Sequence, residues 1–140
     1  MSAVPARALL RQFDRPLLWC ALWLAMIAVV IATCLLPAHD LPPPPFSNFD
    51  KIEHFGAYLA LSSYAGMLFA RLRPQAIAVA GLIAMGVGLE FAQATLTDSR
   101  SGDGIDALAN SLGALAGLFV ARTPVALWLL WVDRRLSRKR

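Results

Sequence analysis

LLWCALWLAMIAVVIATCLL, residues 17–36, runs for twenty positions without a charged side chain. Coiled as a helix at about 1.5 Å of rise per residue, it is long enough to cross about 30 Å of hydrocarbon. Three more apolar stretches follow it, at about 52–70, 75–97 and 105–121, each separated from the next by a short polar joint. With 58% hydrophobic and only 16% charged residues in 140, a water-soluble chain would leave too much apolar surface bare. Backbone polar groups in lipid must be satisfied within their own segment, and these stretches lack the alternating polarity of barrel strands. The expectation is an all-α fold: a four-helix transmembrane bundle forming one domain over 1–140, with spans near 17–36, 52–70, 75–97 and 105–121. A basic tail, 122–140, is expected to carry an interfacial helix or a kinked extension of the fourth span, since VALWLLWVDRRLSRKR is too short to span alone and puts tryptophans beside arginines.

The basic residues set an expected orientation. Arg7, Arg11 and Arg15 precede the first stretch, Arg71 and Arg73 join the second to the third, and Arg122, Arg134, Arg135, Arg138, Lys139 and Arg140 follow the fourth. Only Lys51 and Arg100 of the 13 basic residues fall on the alternate joints. Basic residues near span ends resist translocation, so both termini are expected in the cytoplasm of a multi-pass inner-membrane protein. The net charge of +4 then reads as anchoring to anionic lipid, with no nucleic-acid motif beside it. A cleaved signal peptide is the rival reading of the first stretch, disfavoured by its length. Cys20 and Cys34 lie about 21 Å apart by helical rise and cannot bridge one another.

The joints carry their own signals. Pro42 to Pro45 favour a stiff extended connection. Ser47 with Asp50, or Asp50 with Glu53, has the spacing of a capping pair, which starts the second helix between 48 and 51. Pro74 suits the first position of the third helix, and Asp103 with Asp106 can cap the fourth. Gly113 to Gly117 (GALAG), together with Ala80, Ala84 and Gly88 on the third helix, form small-residue ridges for close helix packing.

Polar residues gather toward one side. Asp50, His54, Tyr58 and Ser62 recur every four residues and line one face of the second helix. Glu90 and Gln93 share a face with Gly86 and Thr97 on the third, and Asp103, Asp106 and Asn110 run along the start of the fourth. Glu90 lies about 10 Å inside the end of its span, where an ionised carboxylate needs a partner or water. Arg100 and His54 are the candidate counter-charges, with Asn110, Gln93 and Tyr58 as donors. Three readings of this set stay open: a buried clasp between helices, a binding or reaction site, and a hydrated Glu90. A metal site of His54 with Asp50 and Glu90 is set aside, because one histidine among scattered carboxylates is a weak signature. No cofactor motif accompanies it.

Asp50-Lys51, His54-Phe55 and Tyr58 in DKIEHFGAYLAL, Glu90 and Gln93 in EFAQ, and Arg100, Asp103, Asp106, Asn110 and Gly113 in RSGDGIDALANSLGALAG resemble the VanZ family in order and spacing. That family takes its name from a teicoplanin-resistance accessory protein. The resemblance covers residues 50–117 and implies a four-span membrane protein of the bacterial envelope, with the matching polar residues toward the extracytoplasmic side. The resulting expectation is a pocket formed by Asp50, Lys51, His54, Tyr58, Glu90, Gln93, Arg100, Asp103, Asp106 and Asn110 that binds a lipid-linked cell-wall intermediate or a lipid-anchored glycopeptide. Catalysis on a lipid headgroup, with Glu90 or His54 as general base, is the second possibility. The third is a structural or assembly partner of another membrane protein, with or without self-association.

Overall fold

The architecture is that of a computed structural model, which describes residues 9–96 and 102–138. Five α-helices follow in order: α1 (Pro16–Leu35), α2 (Phe49–Leu68), α3 (Leu72–Leu96), α4 (Gly104–Val120) and α5 (Trp128–Ser137). Short 3₁₀ turns occupy Ala38–Asp40 and Pro124–Leu127. No strand occurs among the described residues, so the fold is all-helical. Arg7, Thr97, Arg100, Lys139 and Arg140 lie outside the described residues.

The centre of the molecule is the α2–α4 pair. A Cβ added at Gly113 would lie 2.2 Å from the Phe55 carbonyl oxygen, and one at Gly117 would lie 2.5 Å from Ser62 Cβ, so only glycine permits this approach. Ser62 Oγ donates to the Ala114 carbonyl at 2.6 Å, which satisfies a hydroxyl with no water in reach. The GALAG ridge therefore packs as its sequence predicts. The α3 ridge does not: Ala80, Ala84 and Gly88 are exposed, and no atom would touch a Cβ at Gly88. α3 instead buries Gln75, Val79, Leu82, Gly86, Leu89, Glu90 and Gln93, a stripe at three- and four-residue spacing.

Tyr58, Leu61, Val79, Leu82 and Ala114 form the main core, and Trp23, Met26, Ile27 and Val30 of α1 lean against it. Apart from these and the buried Trp19, α1 presents much of its apolar surface outward; Leu17 and Leu24 are mostly exposed, as are Ile77 and Phe91 on α3 and Phe119 on α4. In water this belt would be unstable, whereas acyl chains solvate it. The apolar helices mark a membrane-associated protein. Pro16–Leu35 and Leu72–Leu96 are each long and apolar enough to cross a membrane. Gly104–Val120 joins them only when counted with Pro124–Ser137, from which it is bent by 80°. α2 does not reach that standard, because Asp50, Lys51 and Glu53 fill its first turn.

Three local expectations are corrected. Asn48 precedes α2 in the left-handed region at φ 63°, with no side-chain cap, so the Ser47–Asp50 and Asp50–Glu53 capping pairs do not form. Asp50 turns to Lys51 instead. α3 starts at Leu72, which puts Pro74 third in the helix, still in the first turn, where a missing N–H costs nothing. The tail is also more firmly held than a surface helix would be. Asp133 has no exposed surface and accepts hydrogen bonds from Trp19 Nε1 at 2.9 Å and from the Asp14 backbone N–H. Leu129 joins Trp19 and Leu68 in a second apolar cluster. Residues 9–11 complete this end by bonding to the close of α2, through Arg11 N–H to Leu68 O and Ala70 N–H to Leu9 O, each at 3.0 Å.

Candidate functional site at the acidic end

The first turns of α2 and α4 and the last turns of α3 meet at the end of the bundle opposite α5. Lys51 is the hub of the outermost layer. Its ammonium lies 3.0 Å from Asp50 Oδ2, 2.7 Å from Asp103 Oδ2 and 2.7 Å from Asp106 Oδ1. Lys51 and Asp50 come from α2, and the other two carboxylates from the start of α4, so the cation fastens the two helices at their mouths. Asp103 also caps α4, its Oδ1 accepting from Ile105 N–H at 2.8 Å. The bond from Lys51 holds the Asp103 carboxyl below its ordinary range, and the Ile105 N–H adds to this. The same bond from Lys51 is the largest cause lowering Asp50. Lys51 in turn is raised, first by Asp103 and then by Asp106.

One turn deeper lies His54, buried, with Nδ1 3.0 Å from Asn110 Oδ1 and Nε2 3.8 Å from Asp106 Oδ2. With the amide oxygen as acceptor, Nδ1 is the donor in that bond and Nε2 is left turned toward the carboxylate. Glu90 is also buried, and its Oε2 accepts from Asp103 N–H at 3.0 Å. Gly102 makes that turn possible, since a Cβ there would lie 2.5 Å from the Glu90 carbonyl oxygen. His54, Glu90 and Asp106 thereby present nitrogen and oxygen atoms all within 4.8 Å of one another.

Tyr58 follows on the same face of α2, fully buried, with a hydroxyl that has no hydrogen-bond partner among the described residues. It fits beside Gly86, where an added Cβ would come within 3.2 Å of that oxygen and 3.0 Å of Asn110 Cβ. A cavity of about 460 Å³ lies alongside; its lining includes Val30, Thr33 and Cys34 of α1 and Asp50, His54 and Tyr58 of α2. One wall is apolar and the other is acidic.

Of the ten residues expected to share a pocket, Asp50, Lys51, His54, Glu90, Asp103, Asp106 and Asn110 form one connected network, and Tyr58 packs against Asn110. Gln93 Nε2 donates to the Cys34 carbonyl at 2.7 Å, which ties α3 to α1. Arg100 lies outside the described residues. Glu90 takes its hydrogen bond from a backbone N–H, a donor that sequence reasoning about side chains does not supply. Lys51 as the hub of three carboxylates was also missed, although Asp50, Asp103 and Asp106 at the same end carried the signal. No family model, curated protein or solved structure matches the chain.

Proposed function

We propose that this chain is a VanZ-like, multi-pass protein of the bacterial inner membrane that binds the polar headgroup of a lipid-linked cell-envelope component, or a lipid-anchored glycopeptide such as teicoplanin, at its acidic end. The observation that carries the reading is the cavity of about 460 Å³ between α1 and α2, with Val30, Thr33, Cys34 and Leu41 on its less polar side and Asp50, His54 and Tyr58 on the other. Its volume falls in the range of small-molecule sites, and its two-faced lining suits an amphiphile at the junction of headgroup and chain. Lys51 is already committed to three carboxylates. The pocket is thus rich in acceptors and favours groups that donate hydrogen bonds, the hydroxyls, amides and amines of sugars and peptides, over a bare phosphate.

Four crossings with both termini cytoplasmic belong to the same proposal. Support comes from Arg11, Arg15, Arg71, Arg73 and Arg134 at the end where Asp14 meets Asp133, with the carboxylate network at the other. A clasp with no ligand, serving an assembly partner, is the second reading, favoured by the closed Lys51 set. Native mass spectrometry of the protein in nanodiscs, with teicoplanin or a polyprenyl-linked sugar added, separates the two. The binding reading expects a one-to-one adduct that is lost in Tyr58→Ala while the helical content is kept. An absence of adducts with both probes overturns it in favour of the clasp.

A further inference from the structure

We infer that His54, Glu90 and Asp106 form a binding site for a divalent transition-metal ion, zinc or manganese, at the meeting point of α2, α3 and α4. The set weighed from sequence, His54 with Asp50 and Glu90, differs from this one by a single residue: the fold brings Asp106 of α4 to the histidine, while Asp50 turns to Lys51. The inference goes beyond headgroup binding and stands without it, since it rests on the three side chains alone.

Four observations converge. The ligand atoms lie within 4.8 Å of one another, and the His54 Nε2 to Asp106 Oδ2 separation is 3.8 Å. That is too long for a direct hydrogen bond. Zinc holds nitrogen and oxygen at about 2.0–2.2 Å, so two ligand atoms on one ion stand about 3.0–3.5 Å apart, and closure takes only small side-chain rotations. Next, each side chain is already aimed by a neighbour: Asn110 Oδ1 holds His54 Nδ1, Lys51 holds Asp106 Oδ1, and Asp103 N–H holds Glu90 Oε2. A histidine fixed through one ring nitrogen with the other facing carboxylates is the arrangement that metal sites use to set tautomer and ring angle.

The donor set is the third. Lys51 faces three carboxylates of its own layer, and the buried Glu90 and Asp106 beside His54 offer a dication two oxygen ligands and one nitrogen. The fourth is the Tyr58 hydroxyl, on a fully buried side chain one turn from His54 in the same cavity lining, with no hydrogen-bond partner among the described residues. An unpartnered donor buried there is accounted for by a water or ligand atom completing the ion's shell. One nitrogen and two oxygens select zinc or manganese over the softer ions that thiolates prefer.

The test uses the full chain, purified in nanodiscs, stripped with chelator and titrated with zinc chloride against a chromophoric competitor. One zinc per chain is expected, with tight binding lost in His54→Gln and Asp106→Asn and weakened about 10–100-fold in Asn110→Ala, whose residue aims the ring. His39→Gln, at an exposed histidine outside the cluster, leaves it unchanged. Zinc-edge X-ray absorption of the unmutated protein covers the event that a variant misfolds; a shell of nitrogen and oxygen alone is expected. Zinc retained in both His54→Gln and Asp106→Asn, a sulfur scatterer from Cys20 or Cys34, or no stoichiometric binding of zinc or, in a parallel titration, of manganese overturns the assignment.

Discussion

Replacing Gly113 by alanine adds one methyl group at the tightest glycine contact among the described residues. Its Cβ would lie 2.2 Å from the Phe55 carbonyl oxygen, 3.0 Å from Phe55 C and 3.1 Å from Leu59 N, all backbone atoms that no rotamer change can move. To restore an ordinary contact of 3.4 Å, α4 must withdraw from α2 by about 1.2 Å at this point. The same shift stretches the 2.6 Å Ser62–Ala114 and 3.0 Å His54–Asn110 hydrogen bonds toward or past their limits. Overpacking of this kind costs about 1–3 kcal/mol, and each weakened interhelical hydrogen bond adds roughly 0.6 kcal/mol. Alanine's better helix propensity returns about 1 kcal/mol. The net expectation is a destabilisation of about 1–3 kcal/mol. Gly88→Ala is the matched control: nothing lies within 4 Å of the added methyl, so it gains the propensity term alone and is neutral or slightly stabilising. Reversible unfolding in mixed micelles, followed by far-ultraviolet circular dichroism, reads the difference. If Gly113→Ala unfolds at the same denaturant level as Gly88→Ala, the α2–α4 contact is not the one described.

Lys51→Met removes the lysine ammonium that faces Asp103 and Asp106 and is expected to lower the melting midpoint, chiefly through the less exposed Asp106. Asp106→Asn in that background should restore part of the loss, and a double-mutant cycle measures the coupling. Acidification tests the same layer: Asp50 and Asp103 are lowered by Lys51, so their contribution is complete above about pH 5 and fades only as pH falls below the ordinary carboxylate value of about 3.9. Lys51 is raised, so its contribution is lost only above about pH 10.4. In a pH series of melting midpoints the loss below about pH 3.9 should therefore be smaller in Lys51→Met than in the unmutated chain, and the same acid loss in both would contradict the assignment. Asp133→Ala strips the Trp19 indole N–H of its acceptor and should cost about 1–3 kcal/mol. It should also expose the Arg134–Arg135 bond to trypsin, with faster cleavage at that bond as the readout.

What could be read from the chain, and what could not, divides by the range of the interaction. α1 was legible from twenty uncharged residues, and α2 starts at Phe49, inside the expected 48–51, although the capping pairs that suggested it do not form. The faces carrying Asp50, His54 and Tyr58, and Asp106 and Asn110, were legible because a helical repeat is a local property. Small residues on α3 misled, since a ridge of alanine and glycine looks alike whether it meets a helix or lipid, and here Gly88 meets nothing while Gly86 meets Asn110. Asp133 looked like one charge in a basic tail; its partners, Trp19 and Asp14, lie 114 and 119 residues away in sequence. The metal-ligand geometry of His54 with Glu90 and Asp106 was hidden for the same reason, because three helices must pack before those atoms meet.

The claim on which the site depends is that the polar faces of α2 and α4 close on one another beside Glu90. Solid-state NMR of the isotopically labelled protein in lipid bilayers measures this through the correlation between the His54 ring nitrogens and the Asn110 side-chain carbonyl. The 3.0 Å hydrogen bond predicts a strong cross-peak from Nδ1 and a weaker one from Nε2. Cross-peaks from the His54 ring to lipid acyl protons, with none to Asn110, would contradict the account.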